Sequence, residues 1–336
     1  MLTLENIMKK NVILIILIIS LTFSIIWNII HYQKNTAPEA DFKKCSSQYP
    51  LISSELDCGT INEKIEQVED IDKKIEDLTN KEEQAHNAQQ ISVFFRDLNS
   101  RRWFGVNENV NFYPASLAKL PMAMMFYKTA EVNKKILDIP LAISAENIKT
   151  NEGQHYIPQE SLENGKSYPI KELLRRILIF SDNAPIDPLM RASDSFRTSI
   201  LTDLGIFFEP ESAKDEDGSW NINAKNYANL FRILFNASYI RPEYSNEILD
   251  QLSQSTFKNA LAAGVPEGIK VAHKYGEMSH LDAKSQQKSL ILNDCGIIYK
   301  KDHPYILCIM TQGDKLEELE RIIREISKTV YDSSSL

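Results

Sequence analysis

The period of the apolar residues changes twice along this chain, and that change limits the folds open to it. Ile91–Asp97 alternates as a strand, Asn99-Ser100 is a turn pair, and Arg102–Val106 returns to strand character. Helical patterns then fill the middle, at Ser116–Val132, Ile170–Phe180, Ala184–Ala192, Asp194–Leu204, Ala224–Ala237 and Tyr244–Gln254. Strand character comes back at Ile269–Lys274, Ser289–Tyr299 and Tyr305–Thr311, before a last stripe of Leu316, Leu319, Ile322, Ile323 and Ile326. Strands on both sides of a long helical interval predict an α+β fold: an antiparallel sheet flanked by terminal helices, with an all-helical subdomain inserted at about residues 116–260.

The N-terminus is of another kind. Asn11 to Ile30 carries no charged residue, and about 20 apolar residues suffice for a helix across a bilayer. Trp27-Asn28-Ile29-Ile30-His31-Tyr32-Gln33 offers no A-x-A-like cleavage site, which favours an uncleaved signal anchor. The expected organisation is therefore a cytoplasmic tip and transmembrane anchor at 1–32, a tether at 33–60 and a main domain at 61–334, whose placement outside the cell membrane rests partly on the chemistry of its motifs. Ile61, Ile65, Val68, Ile71, Ile75 and Leu78 form a helical stripe that either packs on the domain or joins a second copy. A formal net charge of −8 and the lack of a Lys/Arg cluster with interleaved aromatics argue against nucleic acid as a partner. Cys295 and Cys308 flank a turn at Lys300–His303, and counting outward from that turn pairs them. They read either as a disulfide or as two buried thiols, and Cys45 and Cys58 form a second possible pair.

Tyr113-Pro114-Ala115-Ser116-Leu117-Ala118-Lys119-Leu120-Pro121 leads into the apolar run Met122–Phe126. Residues three apart on a helix share a face, so the Lys119 amine can reach the Ser116 hydroxyl. A serine is a useful nucleophile near neutral pH only beside a proton acceptor, and a lysine accepts only when burial or nearby positive charge lowers its pKa. Spacing alone is weak support, since Ser-x-x-Lys occurs again at Ser255/Lys258 and Ser285/Lys288. Order separates the three. Only Ser116/Lys119 is followed first by Ser181-Asp182-Asn183, at the end of an apolar helix, and then by Lys274-Tyr275-Gly276-Glu277 on a strand.

That ordered triple resembles the S-x-x-K, S-D-N and K-T-G signatures of the class A β-lactamases and the penicillin-binding DD-peptidases, over roughly residues 60 to 332. The resemblance implies a β-lactamase/transpeptidase-like fold and a serine acyl-hydrolase. Ser116 would form an acyl-enzyme with Lys119 as proton acceptor or relay, and Ser181 would protonate the departing nitrogen. Asn183 would hold the substrate amide and Lys119, and Lys274 would attract the substrate carboxylate and help to depress the Lys119 pKa. The backbone N–H groups of Ser116 and Glu277, with the strand residues Tyr275 and Gly276 beside them, would line the oxyanion hole and binding edge. No metal or other cofactor is implied. Asp182 reads as structural, and His273 as packing.

Two departures limit the match. Tyr275 stands where the family carries a small hydroxyl residue. The Glu209-Pro210-Glu211-Ser212-Ala213 stretch lacks the Asn of the family's E-x-x-x-N pattern, although Glu209 is the candidate base for deacylation. The expected substrate is a β-lactam or a peptidoglycan stem peptide with a D-Ala-D-Ala-like amide. The alternatives are a DD-carboxypeptidase or other cell-wall peptidase, and a non-catalytic surface protein that binds wall fragments.

Overall fold

The computed structural model describes residues 69–100, 102–205, 221–281 and 288–333. Asn11–Ile30, the tether, Cys45, Cys58 and Glu209 lie outside them, so the expectations attached to those residues stay with the sequence. Among the described residues no helix is long and apolar enough to cross a membrane.

The fold is α+β, as the periodicity predicts. Helix α1 spans Glu69–Gln84, and strands β1 (Gln90–Asp97) and β2 (Trp103–Val106) follow as a hairpin. The helical interval contains α2 (Lys119–Ala130), α3 (Ile170–Ile179), α4 (Ile186–Ala192), α5 (Arg197–Asp203), α6 (Ala224–Phe235) and α7 (Pro242–Ser253). Strands β3 (Val271–Leu281), β4 (Lys288–Ile298) and β5 (Tyr305–Gly313) complete the sheet before α8 (Leu316–Ser333). The strand order is β2-β1-β5-β4-β3, antiparallel throughout, with β3 at one edge.

Alternation along the strands sends side chains into two cores. Val93, Phe95, Leu307 and Ile309 face the terminal helices, where Ile71 and Ile75 of α1 meet Leu319, Ile322, Ile323 and Ile326 of α8. Phe94, Ile306, Cys308 and Met310 face the helical interval, where Leu120, Met124, Leu174, Ile177, Tyr227 and Leu249 fill the space. The stripe residues Ile71, Ile75 and Leu78 are thus covered within the chain, and Arg321 of α8 pairs with Glu82 of α1 at 2.5 Å.

Cys295 and Cys308 are direct register partners and form a disulfide. A short turn between antiparallel strands fixes which residues face each other. The β3 strand runs seven residues beyond the expected end at Lys274, to Leu281. Its outer half, Gly276-Glu277-Met278-Ser279-His280, is polar and contains a glycine, so composition hides a strand that pairing with β4 supports.

The helix expected from Ser116 differs at its start. Ala115–Ala118 is a single 3-10 turn, and the α-helix begins at Lys119. Pro121 then falls in the first helical turn, where a missing N–H costs nothing because no carbonyl four residues earlier awaits it.

Candidate active site

Ser116 sits on the 3-10 turn and is half-buried. The residue before it, Ala115, has a φ of 49°, the left-handed region that a Cβ disfavours. Three contacts hold the turn in place. Leu117 N–H donates to the Pro114 carbonyl at 3.0 Å, the Tyr227 hydroxyl donates to the Leu117 carbonyl at 2.9 Å, and Asn293 Nδ2 donates to the Tyr113 carbonyl at 3.0 Å. Lys119 follows one turn on, its side chain buried, with Nζ 2.8 Å from Ser116 Oγ.

Helix α3 delivers the second segment. It is amphipathic, buries Leu173, Leu174, Ile177 and Leu178, and stops at Phe180. Ser181 then turns into the left-handed region with a φ of 55°. This bend directs three polar groups at Lys119 Nζ: Ser181 O at 2.5 Å, Ser181 Oγ at 3.1 Å and Asn183 Oδ1 at 2.6 Å.

Asp182 faces away from this cluster and braces the loop. Its carboxylate accepts from Arg176 Nε at 3.0 Å, from Asn151 Nδ2 at 2.8 Å and from the Ala184 N–H at 3.0 Å. Asn151 Oδ1 in turn accepts from the Asn183 N–H at 2.8 Å and from Gln154 Nε2 at 2.7 Å, so one amide side chain spans both segments.

Strand β3 supplies the third side. Lys274 is fully buried, and Nζ donates to Ser181 Oγ and to the Tyr275 carbonyl, both at 2.8 Å. Gly276 lies against the Ser116 turn so closely that a Cβ there would stand 2.6 Å from Pro114 O and 2.9 Å from Ser116 N and Leu117 N. Only glycine permits that approach of strand to turn. Glu277 is next along the strand, and its carboxylate accepts from the His155 N–H at 2.8 Å and meets His155 Nδ1 at 2.6 Å. Tyr275 is buried, stacked on Phe257 with ring centroids 4.2 Å apart and set edge-on to Tyr156 at 5.5 Å.

Burial dominates the electrostatics. It pushes the Lys119 amine down to about 7, against the opposing pull of Asp182 and Glu277. Burial also holds Lys274 well below the ordinary lysine range, helped by repulsion from Lys119 and opposed by Asp294. Of the two expected causes, burial and the charge of Lys274, burial is the one that lowers Lys119. A neutral amine suits the contacts: two N–H groups serve Ser181 O and Asn183 Oδ1, and the lone pair is left for the Ser116 hydroxyl proton.

The structure thus brings Ser116, Lys119, Ser181, Asn183, Lys274, Tyr275, Gly276 and Glu277 together. The rival Ser255/Lys258 spacing makes no such pair, since Ser255 Oγ is buried without a hydrogen-bond partner. His273 is buried with Nδ1 2.7 Å from Asp294 Oδ1, a polar contact inside the sheet. Asn151, His155 and Arg176 are the supporting residues that sequence reading misses. They stand at no fixed spacing from the motifs, and the segment bearing Asn151 and His155 has no period. Among the described residues no cluster of three His, Cys, Asp or Glu side chains is placed to hold a metal ion.

A sequence model described as the Beta-lactamase enzyme family matches residues 70–334. No curated protein sequence matches the chain. Among solved structures, a variant of PBP-A seen as an acyl-enzyme complex with penicillin G is similar with a TM-score of 0.65 at 18% identity, covering 79% of this chain and 96% of that one. A β-lactamase from Xanthomonas campestris pv. campestris gives 0.65 at 18% identity, over 78% and 98% of the two chains. A variant of the TLA-1 extended-spectrum β-lactamase gives the same values. The fold is the one these proteins share.

Proposed function

Because the chain belongs to the β-lactamase enzyme family, we propose that it is a serine acyl-hydrolase of the class A type, opening a β-lactam or a related D-Ala-D-Ala-like amide through an acyl-enzyme on Ser116. The observation that carries this reading is a buried lysine, its pKa lowered to about 7, 2.8 Å from a serine hydroxyl on a fixed turn. Neutral Lys119 takes the Ser116 proton as Oγ adds to the carbonyl carbon. The backbone N–H groups of Ser116 and Glu277 are the donors for the resulting oxyanion. Lys119, now an ammonium, returns the proton through Ser181 Oγ, 3.1 Å away, to the nitrogen as the C–N bond breaks. Lys119 is neutral again when water attacks the ester, and Glu209 is the second candidate base for that step.

A cell-wall peptidase is the second reading, supported by the likeness to PBP-A, whose structure holds a penicillin G acyl-enzyme. We further propose that the domain works outside the cell membrane, anchored by Asn11–Ile30. The Cys295–Cys308 disulfide supports this, since such bonds persist in oxidising compartments.

Incubation with a fluorescent penicillin, followed by intact-mass measurement, tests the reading. An adduct on Ser116 that turns over supports the lactamase, and a persistent one supports the peptidase. No adduct, or one retained in Ser116→Ala, counts against both. The rate of adduct formation is expected to fall about tenfold from pH 8 to pH 6 as Lys119 takes up a proton, and a flat profile would remove the lysine base.

A further inference from the structure

The route to Lys274 from outside is closed. Its side chain is 1% exposed, its amine is spent on Ser181 Oγ and the Tyr275 carbonyl, and the Tyr275 ring centroid lies 4.4 Å from Nζ. Among the described residues no carboxylate is within ion-pair distance of it. Tyr275 is itself held. Phe257 stacks on its ring, Tyr156 meets it edge-on, and the Tyr156 hydroxyl is tied to Glu320 of α8. Swinging the ring aside would break all of these contacts together. A carboxylate approaching Lys274 would need that movement.

We propose that Tyr275 is a specificity-determining residue whose ring seals the Lys274 amine, so that the site favours acyl donors carrying no carboxylate on the β3 side of the scissile bond, namely neutral amides or esters. The proposal rests on the acyl-enzyme reading of Ser116 and replaces the expectation that Lys274 attracts a substrate carboxylate, so it sets carboxylate-free amides and esters ahead of free-acid β-lactams and D-Ala-D-Ala peptides.

Penicillin G and its methyl ester differ only at the carboxylate, and a fluorophosphonate has none. The rate of adduct formation on Ser116 in the full-length protein is measured with each, using Ser116→Ala to fix the site. Wild type is expected to react faster with the ester than with the acid. Tyr275→Thr, which opens the amine, is expected to shift the acid-to-ester ratio toward the acid by about tenfold or more. Tyr275→Phe keeps the ring and should keep the wild-type ratio. A wild type that prefers the acid overturns the proposal even if Tyr275→Thr does not fold. So does a Tyr275→Thr protein that still takes the fluorophosphonate with its ratio unmoved. Failure of all three probes to label Ser116 overturns the acyl-enzyme reading and this proposal with it.

Discussion

Replacing Lys119 by methionine turns the buried amine into a thermodynamic measurement. The pKa falls from 10.5 to about 7 on folding, and at about 1.36 kcal/mol per unit the protonated amine costs the fold on the order of 5 kcal/mol. The folded chain binds this proton more weakly than the unfolded chain. The penalty is therefore complete below the folded pKa of about 7 and is relieved as the pH rises toward 10.5. Between pH 6 and pH 9 wild type should gain about 2.7 kcal/mol from this group alone, a gain that Lys119→Met cannot make. The variant also leaves Ser181 O and Asn183 Oδ1 without their donor, at about 1–3 kcal/mol each. That loss is the same at both pH values and cancels from the comparison. Urea unfolding of both proteins at pH 6 and pH 9 reads the difference directly. The stability of Lys119→Met relative to wild type should drop by about 2.7 kcal/mol over this range, while adduct formation is abolished throughout. A stability difference that does not change with pH would refute the desolvated base.

Arg176→Met leaves the Asp182 carboxylate buried without its cation. The expected loss is about 3–5 kcal/mol in urea unfolding, and a shift below about 1 kcal/mol, the range of an exposed pair, would show that the pair is not holding the Ser181 loop. Gly276→Ala forces a Cβ against the backbone of Pro114, Ser116 and Leu117, and none of those atoms can move aside alone. The strand must back away, so adduct formation should slow by about a hundredfold with a smaller loss of stability than Arg176→Met, and an unchanged rate would remove the close approach from the mechanism.

The motif residues were legible because they are held by chain order and short-range geometry. Ser116 and Lys119 meet across one turn whether that turn is 3-10 or α, and the Cys295–Cys308 register follows from a short hairpin. The remainder depends on distance through space. Nothing in the sequence states how deeply Lys119 is buried, so burial and the Lys274 charge stand as two open causes of its low pKa until the fold decides between them. The Tyr275 ring, on an edge strand, finds Phe257 and Tyr156 from two other segments, and no spacing rule connects the three. Asn151 and His155 act from a stretch with no repeating pattern, where a single polar side chain carries no signal until its partner is known.

Ala115 and Ser181, both left-handed without being glycine, have a consequence for turnover. On the proposed mechanism each precedes or carries a reacting group, and each is kept in a conformation it would leave if its anchors were cut. On that reading Ser116 and Ser181 are aligned before any substrate arrives, and the reorganisation that a relaxed site would undergo at every catalytic cycle would be completed once, when the chain folds.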